Sequence, residues 1–133
     1  MVFRGIPRRW DLFDADLDFP VGSEQGGKSR PVLIISNDGF NAAFALVTVV
    51  PLTKQSGKQR KIYSFEVLLS AGMVGNPLDC IVMPQQVRTI ARQRLLGPPL
   101  GALRDDDLRR EIEDKLLQQL GIGFDDSSEI DTE

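Results

Sequence analysis

The fold depends first on an apolar run that reads Pro31-Val32-Leu33-Ile34-Ile35-Ser36, followed by a second that reads Ala45-Leu46-Val47-Thr48-Val49-Val50-Pro51-Leu52. Both runs are rich in β-branched residues, which is typical of central strands buried on both faces. The polar pair Asn37-Asp38 lies between them and predicts one or two capped helical turns through Ala43. Pro51 predicts the point at which pairing of the second strand stops.

Shorter strand patterns flank this central pair. Residues 10–17 alternate acidic and apolar side chains over part of their length and predict the first strand. Residues 19–29 are rich in glycine, proline and polar turn formers, which predicts a long exposed loop of the kind that is often functional. Downstream, an incomplete alternation predicts a third strand over residues 62–69. Residues 80–83 and 87–90 predict two short strands.

The period becomes helical after Arg104. Apolar residues recur there at four-residue steps: Leu108, Ile112, Leu116 and Leu120, with Leu117 broadening the stripe. Acidic residues 105–107 suit the start of this helix, and Gly121 suits its end. The leucines predict core or dimer contacts. Five or so strands closed by a helix predict a mainly β (α+β) fold, a small antiparallel barrel in the SH3-like style.

Composition restricts the class of protein and of chemistry. With 133 residues, of which 41% are hydrophobic, the chain is the size of one globular domain. It has no histidine and a single cysteine, Cys80, so neither a metal site nor a cofactor is predicted. We expect a cytoplasmic protein without a membrane span, since no signal-peptide pattern follows Met1 and no apolar run reaches the length of a span.

Charge is unevenly distributed along the chain. The formal net charge is −3, yet residues 28–94 hold nine basic residues against three acidic ones, a net charge of +6. Residues 125–133 carry −5 and predict a disordered acidic tail behind a single domain over residues 1–124. A basic centre is able to bind phosphates whatever a distant tail carries, although solvated charges also cluster by chance.

Polar groups stand beside the predicted loops at three places: Arg30, Thr53-Lys54, and Gln86-Val87-Arg88-Thr89. At these places the chain resembles the MazF/PemK family of toxins from toxin–antitoxin pairs. The resemblance runs from about Arg9 to Gly121. Its motifs are Asp16-Leu17-Asp18, Val21-Gly22-Ser23-Glu24-Gln25, Arg30-Pro31-Val32-Leu33-Ile34-Ile35-Ser36-Asn37-Asp38, Val50-Pro51-Leu52-Thr53, Gln86-Val87-Arg88-Thr89-Ile90 and Leu116-Leu117-Gln118-Gln119-Leu120-Gly121.

This resemblance implies a MazF/PemK/CcdB-type SH3-like barrel with a C-terminal helix, usually a homodimer. It implies metal-independent, sequence-specific cleavage of single-stranded mRNA to 2′,3′-cyclic phosphate and 5′-hydroxyl ends, with neutralisation by a cognate antitoxin. Arg30 and Thr53 are then the catalytic pair. Arg30 stabilises the phosphorane, with proton donation as a further role, because a guanidinium is a good phosphate clamp and a poor base. Thr53 hydrogen-bonds a non-bridging phosphate oxygen.

The general base stays open between Glu24, an arginine of strongly lowered pKa, and water. Gln86 matches a family position that holds substrate near the scissile bond, and Arg88 is a candidate for the RNA backbone. Unpaired bases are read on their edges, so the loops are expected to set the cleavage sequence. The candidates for RNA binding in the loops are Glu24, Gln25, Lys28, Lys54 and Gln55. The charge map predicts an acidic, partly disordered antitoxin. It also leaves open that the tail shields the basic groove in cis.

Two other functions remain as alternatives. A CcdB-like toxin of the same fold would bind DNA gyrase without cutting nucleic acid, and the end of the C-terminal helix would carry its function. A generic barrel module for protein binding is the second alternative. The sequence also departs from the family pattern, since Trp10 stands where the family has a glycine.

Overall fold

A computed structural model describes residues 1–55 and 60–123, so the predicted tail over residues 125–133 lies outside the described residues. The strands are β1 (Asp11–Ala15), β2 (Arg30–Ile34), β3 (Leu46–Lys54), β4 (Val67–Leu69), β5 (Cys80–Val82), β6 (Arg88–Ala91) and β7 (Leu95–Ala102). The helices are α1 (Asp38–Ala43), α2 (Asp106–Leu120) and the short 3₁₀-helices Pro84–Gln86 and Arg92–Arg94.

Strand β3 is the centre of an antiparallel sheet with the order β4-β5-β3-β2-β1-β7. One edge of β3 pairs with β2, and the other pairs first with β6 and then with β5. Pairing with β2 is recorded as far as Pro51, but β3 continues to Lys54. The prediction that pairing stops at Pro51 is therefore wrong. The Pro51 carbonyl accepts from the Met83 N–H at 3.0 Å, so the backbone groups of Pro51 face the edge of β3 that pairs with β6 and β5. Proline has no N–H to donate there, and it lies at the point where the partner of β3 changes from β6 to β5.

Successive residues of β2 enter two apolar cores on opposite faces of the sheet. Leu33 belongs to the helix-side core, which includes Ile112 of α2. Val32 and Ile34 belong to the second core. The second core also contains Phe13, Ala15, Leu17, Val47, Val49, Ile90 and Leu95. The prediction that this strand is buried on both faces is confirmed, because its last three residues, Val32, Leu33 and Ile34, have no exposed surface.

Both predicted helices are confirmed together with their ends. The Asn37 side chain accepts from the Phe40 N–H at 2.8 Å and caps α1. The Asp105 side chain accepts from the Leu108 N–H at 3.0 Å and caps α2. At the other end of α2, Gly121 adopts the left-handed conformation with φ of 73°, which favours glycine. The mainly β fold with a C-terminal helix is thus confirmed.

Two strand predictions are wrong. Over residues 62–69 only Val67–Leu69 forms a strand, because the preceding residues turn: the Glu66 N–H donates to the Tyr63 carbonyl at 2.9 Å. Strand β7 was not predicted, since its Pro98-Pro99 is typical of a loop. These prolines are tolerated because they lie between the pairs Leu12–Gly101 and Asp14–Leu96, where the register of β7 with β1 shifts. The other edge of β7 is bridged at Leu96 by Val2.

Candidate functional site

The expected catalytic pair lies where the two central strands end. The last pair that β2 and β3 form is Val32 with Pro51, so Arg30 and Thr53 each lie two residues beyond it, at the same end of the two strands. Side chains alternate along a strand, so both project from the face of the second core, beyond its apolar residues. The fold therefore brings Arg30 and Thr53 to the same end and the same face of two adjacent strands.

The Arg30 guanidinium is held by the loop that precedes β2. Its Nε donates to the Gly26 carbonyl at 3.0 Å. With the Gln25 amide oriented so that its oxygen faces the arginine, that oxygen lies between 2.9 and 3.1 Å from all three guanidinium nitrogens. Nearly equal distances place the oxygen over the flat face of the group. The terminal N–H groups of Arg30 therefore point past Gln25, in the planar arrangement that suits a phosphate.

The same loop closes on itself before the chain reaches Arg30. The Gly27 N–H donates to the Asp18 carbonyl at 2.7 Å, and the Leu17 N–H donates to the Gly27 carbonyl at 2.8 Å. A β-carbon on Gly26 would lie 2.8 Å from the Asp18 carbonyl oxygen, so glycine is required there. This close approach fixes the Gly26 carbonyl that binds Arg30.

Gln86 joins the loop to the segment between β5 and β6. Its Oε1 accepts from the Gln25 N–H at 3.2 Å, and its Nε2 donates to the Ser23 carbonyl at 2.9 Å. Both ends of the Gln86 amide are thus bonded to the backbone of the loop that holds Arg30. The structure places Gln86 as a support of that loop.

A cleft of about 340 Å³ lies between the loop and the Gln85–Arg88 segment. It is lined by Glu24, Gln25, Gln85, Gln86, Val87 and Arg88. Four of these are predicted RNA-binding residues, whereas Gln85 and Val87 were not predicted. Arg88 pairs with Val49 on β3 and projects from the same face as Thr53. The basic group of Arg88 therefore lies on the same side of the sheet as the expected catalytic pair.

Behind the cleft, Gln85 contacts a buried ion pair that sequence reasoning missed. Gln85 Nε2 donates to Glu66 at 2.6 Å, and the two terminal nitrogens of Arg60 donate to the same carboxylate at 2.9 and 3.0 Å. The Tyr63 N–H adds a bond at 3.2 Å. Burial raises the pKa of Glu66, but these hydrogen bonds outweigh it, and the pKa lies below its ordinary value. An acidic residue inside an otherwise apolar strand pattern was the available signal.

The remaining predicted residues lie outside the lining of the cleft. Lys28 and Lys54 are exposed. The Gln55 amide donates to the Arg60 carbonyl at 3.0 Å, and its backbone N–H donates to the Asp79 carbonyl at 2.9 Å. Gln55 is therefore engaged in holding the connection after β3.

Sequence and structure comparisons identify the family of the chain. A family model described as PemK-like, MazF-like toxin of type II toxin–antitoxin system matches residues 8–120, which include the residues of the cleft and Arg30. The chain belongs to the PemK/MazF toxin family. Endoribonuclease MazF9 of Mycobacterium tuberculosis is 41% identical over 96 residues, covering 68% of this chain and 78% of that protein. Endoribonuclease EndoA of Bacillus subtilis is 34% identical over 117 residues, covering 88% and 97%.

Solved structures of the family share the fold. MazF from Deinococcus radiodurans gives a TM-score of 0.72 at 27% identity, covering 89% of this chain and 99% of that one. In its MazE-MazF complex the TM-score is 0.64 at 26% identity, with the same coverage. The match to the PemK/MazF family favours the endoribonuclease hypothesis over the CcdB-like alternative.

Trp10, which departs from the PemK/MazF pattern, keeps a glycine-like backbone with φ of 75°. Its indole is buried in the helix-side core. The guanidinium groups of Arg9 and Arg109 lie 4.8 and 5.6 Å from its ring. Trp10 therefore adds packing to the helix-side core from a backbone conformation that favours glycine.

Two further features concern metal ions and membranes. Within residues 1–55 and 60–123, no group of three histidine, cysteine, aspartate or glutamate side chains is arranged to hold a metal ion. No helix in the described part of the chain has the length and apolar character needed to cross a membrane.

Proposed function

We propose that this chain is the toxin of a type II toxin–antitoxin pair and a sequence-specific endoribonuclease that cleaves single-stranded mRNA. The observation that carries the proposal is the Arg30 guanidinium, held by Gly26 and Gln25 beside a polar cleft in a member of the PemK/MazF family. The products are a 2′,3′-cyclic phosphate and a 5′-hydroxyl end. The ribose 2′-oxygen attacks the adjacent phosphorus, the bond from phosphorus to the 5′-oxygen breaks, and the leaving 5′-oxygen takes a proton from Arg30, which regains one from water.

In this mechanism Arg30 and Thr53 carry out the phosphoryl chemistry. The terminal N–H groups of Arg30 bind the non-bridging oxygens as negative charge develops on the phosphorane, and Thr53 donates to one of those oxygens. Donors fixed before the reaction cost little reorganisation, which is what the contacts of Arg30 with the loop provide. These groups supply the charge stabilisation without a metal ion or another cofactor.

Glu24 is the candidate base that the cleft supports best. Of the residues that line the cleft, Glu24 alone carries a carboxylate, and its Oε1 accepts from the Val21 N–H at 2.8 Å. This bond holds the side chain at the cleft wall and leaves its second oxygen for a proton from the 2′-hydroxyl. The Glu24→Gln variant distinguishes this base from water or an arginine. The cleavage rate falls on that change only if the Glu24 carboxylate is the base.

RNA binding is proposed along the same wall. Arg88 contacts the phosphate backbone, whereas Gln25 and Gln86 adjoin the scissile nucleotide. Lys28, Lys54 and Gln55 contact the RNA beyond the cleft. A domain over residues 1–124 carries these groups, and the acidic residues 125–133 form a tail.

The partners are a cognate acidic antitoxin and a second copy of the chain, in the cytoplasm where mRNA is available. The basic segment of residues 28–94 favours an acidic chain that covers the cleft. Residues 42–46 are all exposed and all apolar, with Phe44 at 57% and Leu46 at 43% exposure. An apolar surface of this kind favours a homodimer contact. Sedimentation of the purified protein tests the dimer.

The deciding experiment is incubation of the purified protein with a long RNA in EDTA, followed by mapping of the product ends. We expect cuts at a short recurring sequence, with cyclic phosphate and 5′-hydroxyl ends. Absence of cleavage, or cleavage only after magnesium is added, would contradict the proposed mechanism. Cleavage by the Arg30→Ala variant at the wild-type rate would show that the site lies elsewhere.

A further inference from the structure

The connection between β3 and β4 carries two aromatic rings stacked on each other. The ring centroids of Tyr63 and Phe65 are 5.3 Å apart and their planes differ by 3°. Both residues are half-buried, so part of each ring faces solvent. By contrast, the lining of the cleft contains no aromatic residue. Aromatic rings at a surface are the usual means by which proteins bind unpaired bases.

Two basic side chains lie against the Tyr63 ring. The Lys61 ammonium lies 5.4 Å and the Arg60 guanidinium 5.8 Å from the Tyr63 ring centroid. The other aromatic pairs of the described chain differ in geometry, since Phe3 with Phe13 and Phe40 with Phe44 are tilted by 56° and 31°. The charge of Arg60 is paired with Glu66, so the parallel ring pair combines a stacking surface with the positive charge of Lys61.

The ring pair is tied to the wall of the cleft by a short hydrogen-bonded path. The Tyr63 N–H donates to one oxygen of Glu66, and the other oxygen accepts from Gln85. Gln85 itself lines the cleft. Because Glu66 is buried and also bound by Arg60, this path fixes the backbone of Tyr63 relative to Gln85 in the wall of the cleft.

We propose that Tyr63 and Phe65 form a stacking platform for one unpaired base of the RNA that occupies the cleft. Lys61 supplies positive charge for the adjoining phosphate, and the Arg60–Glu66 pair holds the turn. The platform contributes affinity for any base and positions the strand for base reading in the cleft, because stacking is tolerant of sequence. It rests on the proposed function, since it requires single-stranded RNA as the ligand.

The platform is tested by binding measurements with RNA that resists cleavage. Two fluorescent ten-nucleotide 2′-O-methyl probes are used, one of randomised sequence and one with abasic sites throughout, so that their charge is equal. Tyr63→Leu and Phe65→Leu are expected to weaken binding of the base-bearing probe about tenfold and to leave binding of the abasic probe unchanged. Tyr63→Phe keeps a ring and is expected to bind as the wild type does.

Phe3→Leu is the matched control, because it removes a ring that packs near β7, at the other end of the sheet from β4. Thermal melting confirms that each variant is folded. Undiminished binding of the base-bearing probe by both leucine variants overturns the platform, and so does an equal loss on the abasic probe. Failure of the wild type to cut RNA in EDTA overturns the proposed function instead, and that result comes from a separate assay.

Discussion

Two arginines are connected to the wall of the cleft, Arg30 through Gln25 and Arg60 through Glu66 and Gln85, and their partners differ. Both terminal nitrogens of Arg60 bond to the buried carboxylate of Glu66. Arg30 instead donates to the Gly26 carbonyl and lies against the neutral amide of Gln25. Within residues 1–55 and 60–123, Arg30 has no carboxylate within 4.0 Å. The charge of Arg60 is therefore neutralised within the fold, whereas the guanidinium of Arg30 is held by neutral groups. The comparison shows that the partner, more than the residue type, decides whether the charge of an arginine is used within the fold, and it supports the proposed role of Arg30.

The strongest test of this difference is Arg30→Ala. We expect the cleavage rate to fall about 10³-fold, because a preorganised donor to the phosphorane is lost. The free energy of unfolding should change by less than about 1 kcal/mol, since no buried ion pair is broken. Single-turnover cleavage and urea denaturation measure the two effects. Arg30→Lys should retain part of the rate, because it keeps the charge and loses the bidentate geometry. A normal rate in Arg30→Ala would refute the assignment.

Arg60→Ala should have its main effect on stability. Removing the guanidinium leaves the Glu66 carboxylate buried without a counterion, which is expected to lower the free energy of unfolding by about 2–3 kcal/mol. Urea denaturation at neutral pH measures it. Arg110→Ala, at an exposed position of α2, is the control and should stay within about 0.5 kcal/mol of wild type. Equal midpoints for the two variants would show that the buried pair does not stabilise the fold.

Gln86→Ala tests how the loop holds Arg30. Loss of the bonds to Gln25 and Ser23 should loosen the loop and lower kcat/KM about tenfold, while the free energy of unfolding falls by about 1 kcal/mol. Hydrogen exchange of the amides of residues 21–27 should become faster. Gln118→Ala on the exposed face of α2 serves as the control. Slower cleavage without faster exchange in the loop would mean that Gln86 acts directly on the substrate.

Acid should weaken the ion pair between Arg60 and Glu66. Because the folded-state pKa of Glu66 lies below its ordinary value, its contribution to stability is complete above the unfolded pKa of about 4.3 and is lost as pH falls through the folded pKa. Between pH 5 and pH 3, the free energy of unfolding of the wild type should fall by about 1 kcal/mol more than that of the Glu66→Gln variant. Parallel stability curves for the two proteins would contradict the lowered pKa.

Local patterns predicted much of the fold. Strand β2 and helix α2 were identified because burial on one or two faces produces a periodic pattern of apolar residues in the sequence. The cap of α1 was predicted because the Asn37 side chain is three residues from the N–H that it binds. The prediction over residues 62–69 was wrong because alternation alone does not distinguish a strand from a turn that buries Glu66. Strand β7 was missed because its pairing with β1 depends on distant residues, whereas its own Pro98-Pro99 indicated a loop.

The sequence by itself determined the buried strands, the capped helices and the motifs that imply an Arg30 and Thr53 pair. These depend on residues close along the chain, whose periodicity and hydrogen bonds are local. Only the tertiary structure decided how Arg30 is held and where the charge of Arg60 is neutralised. The Gln86 bond to Gln25 spans 61 positions and the Gln85 bond to Glu66 spans 19, so neither is visible in a local pattern. Because a cleft is made from the ends of separate strands, folding alone brought Arg30, Gln86 and Glu66 together.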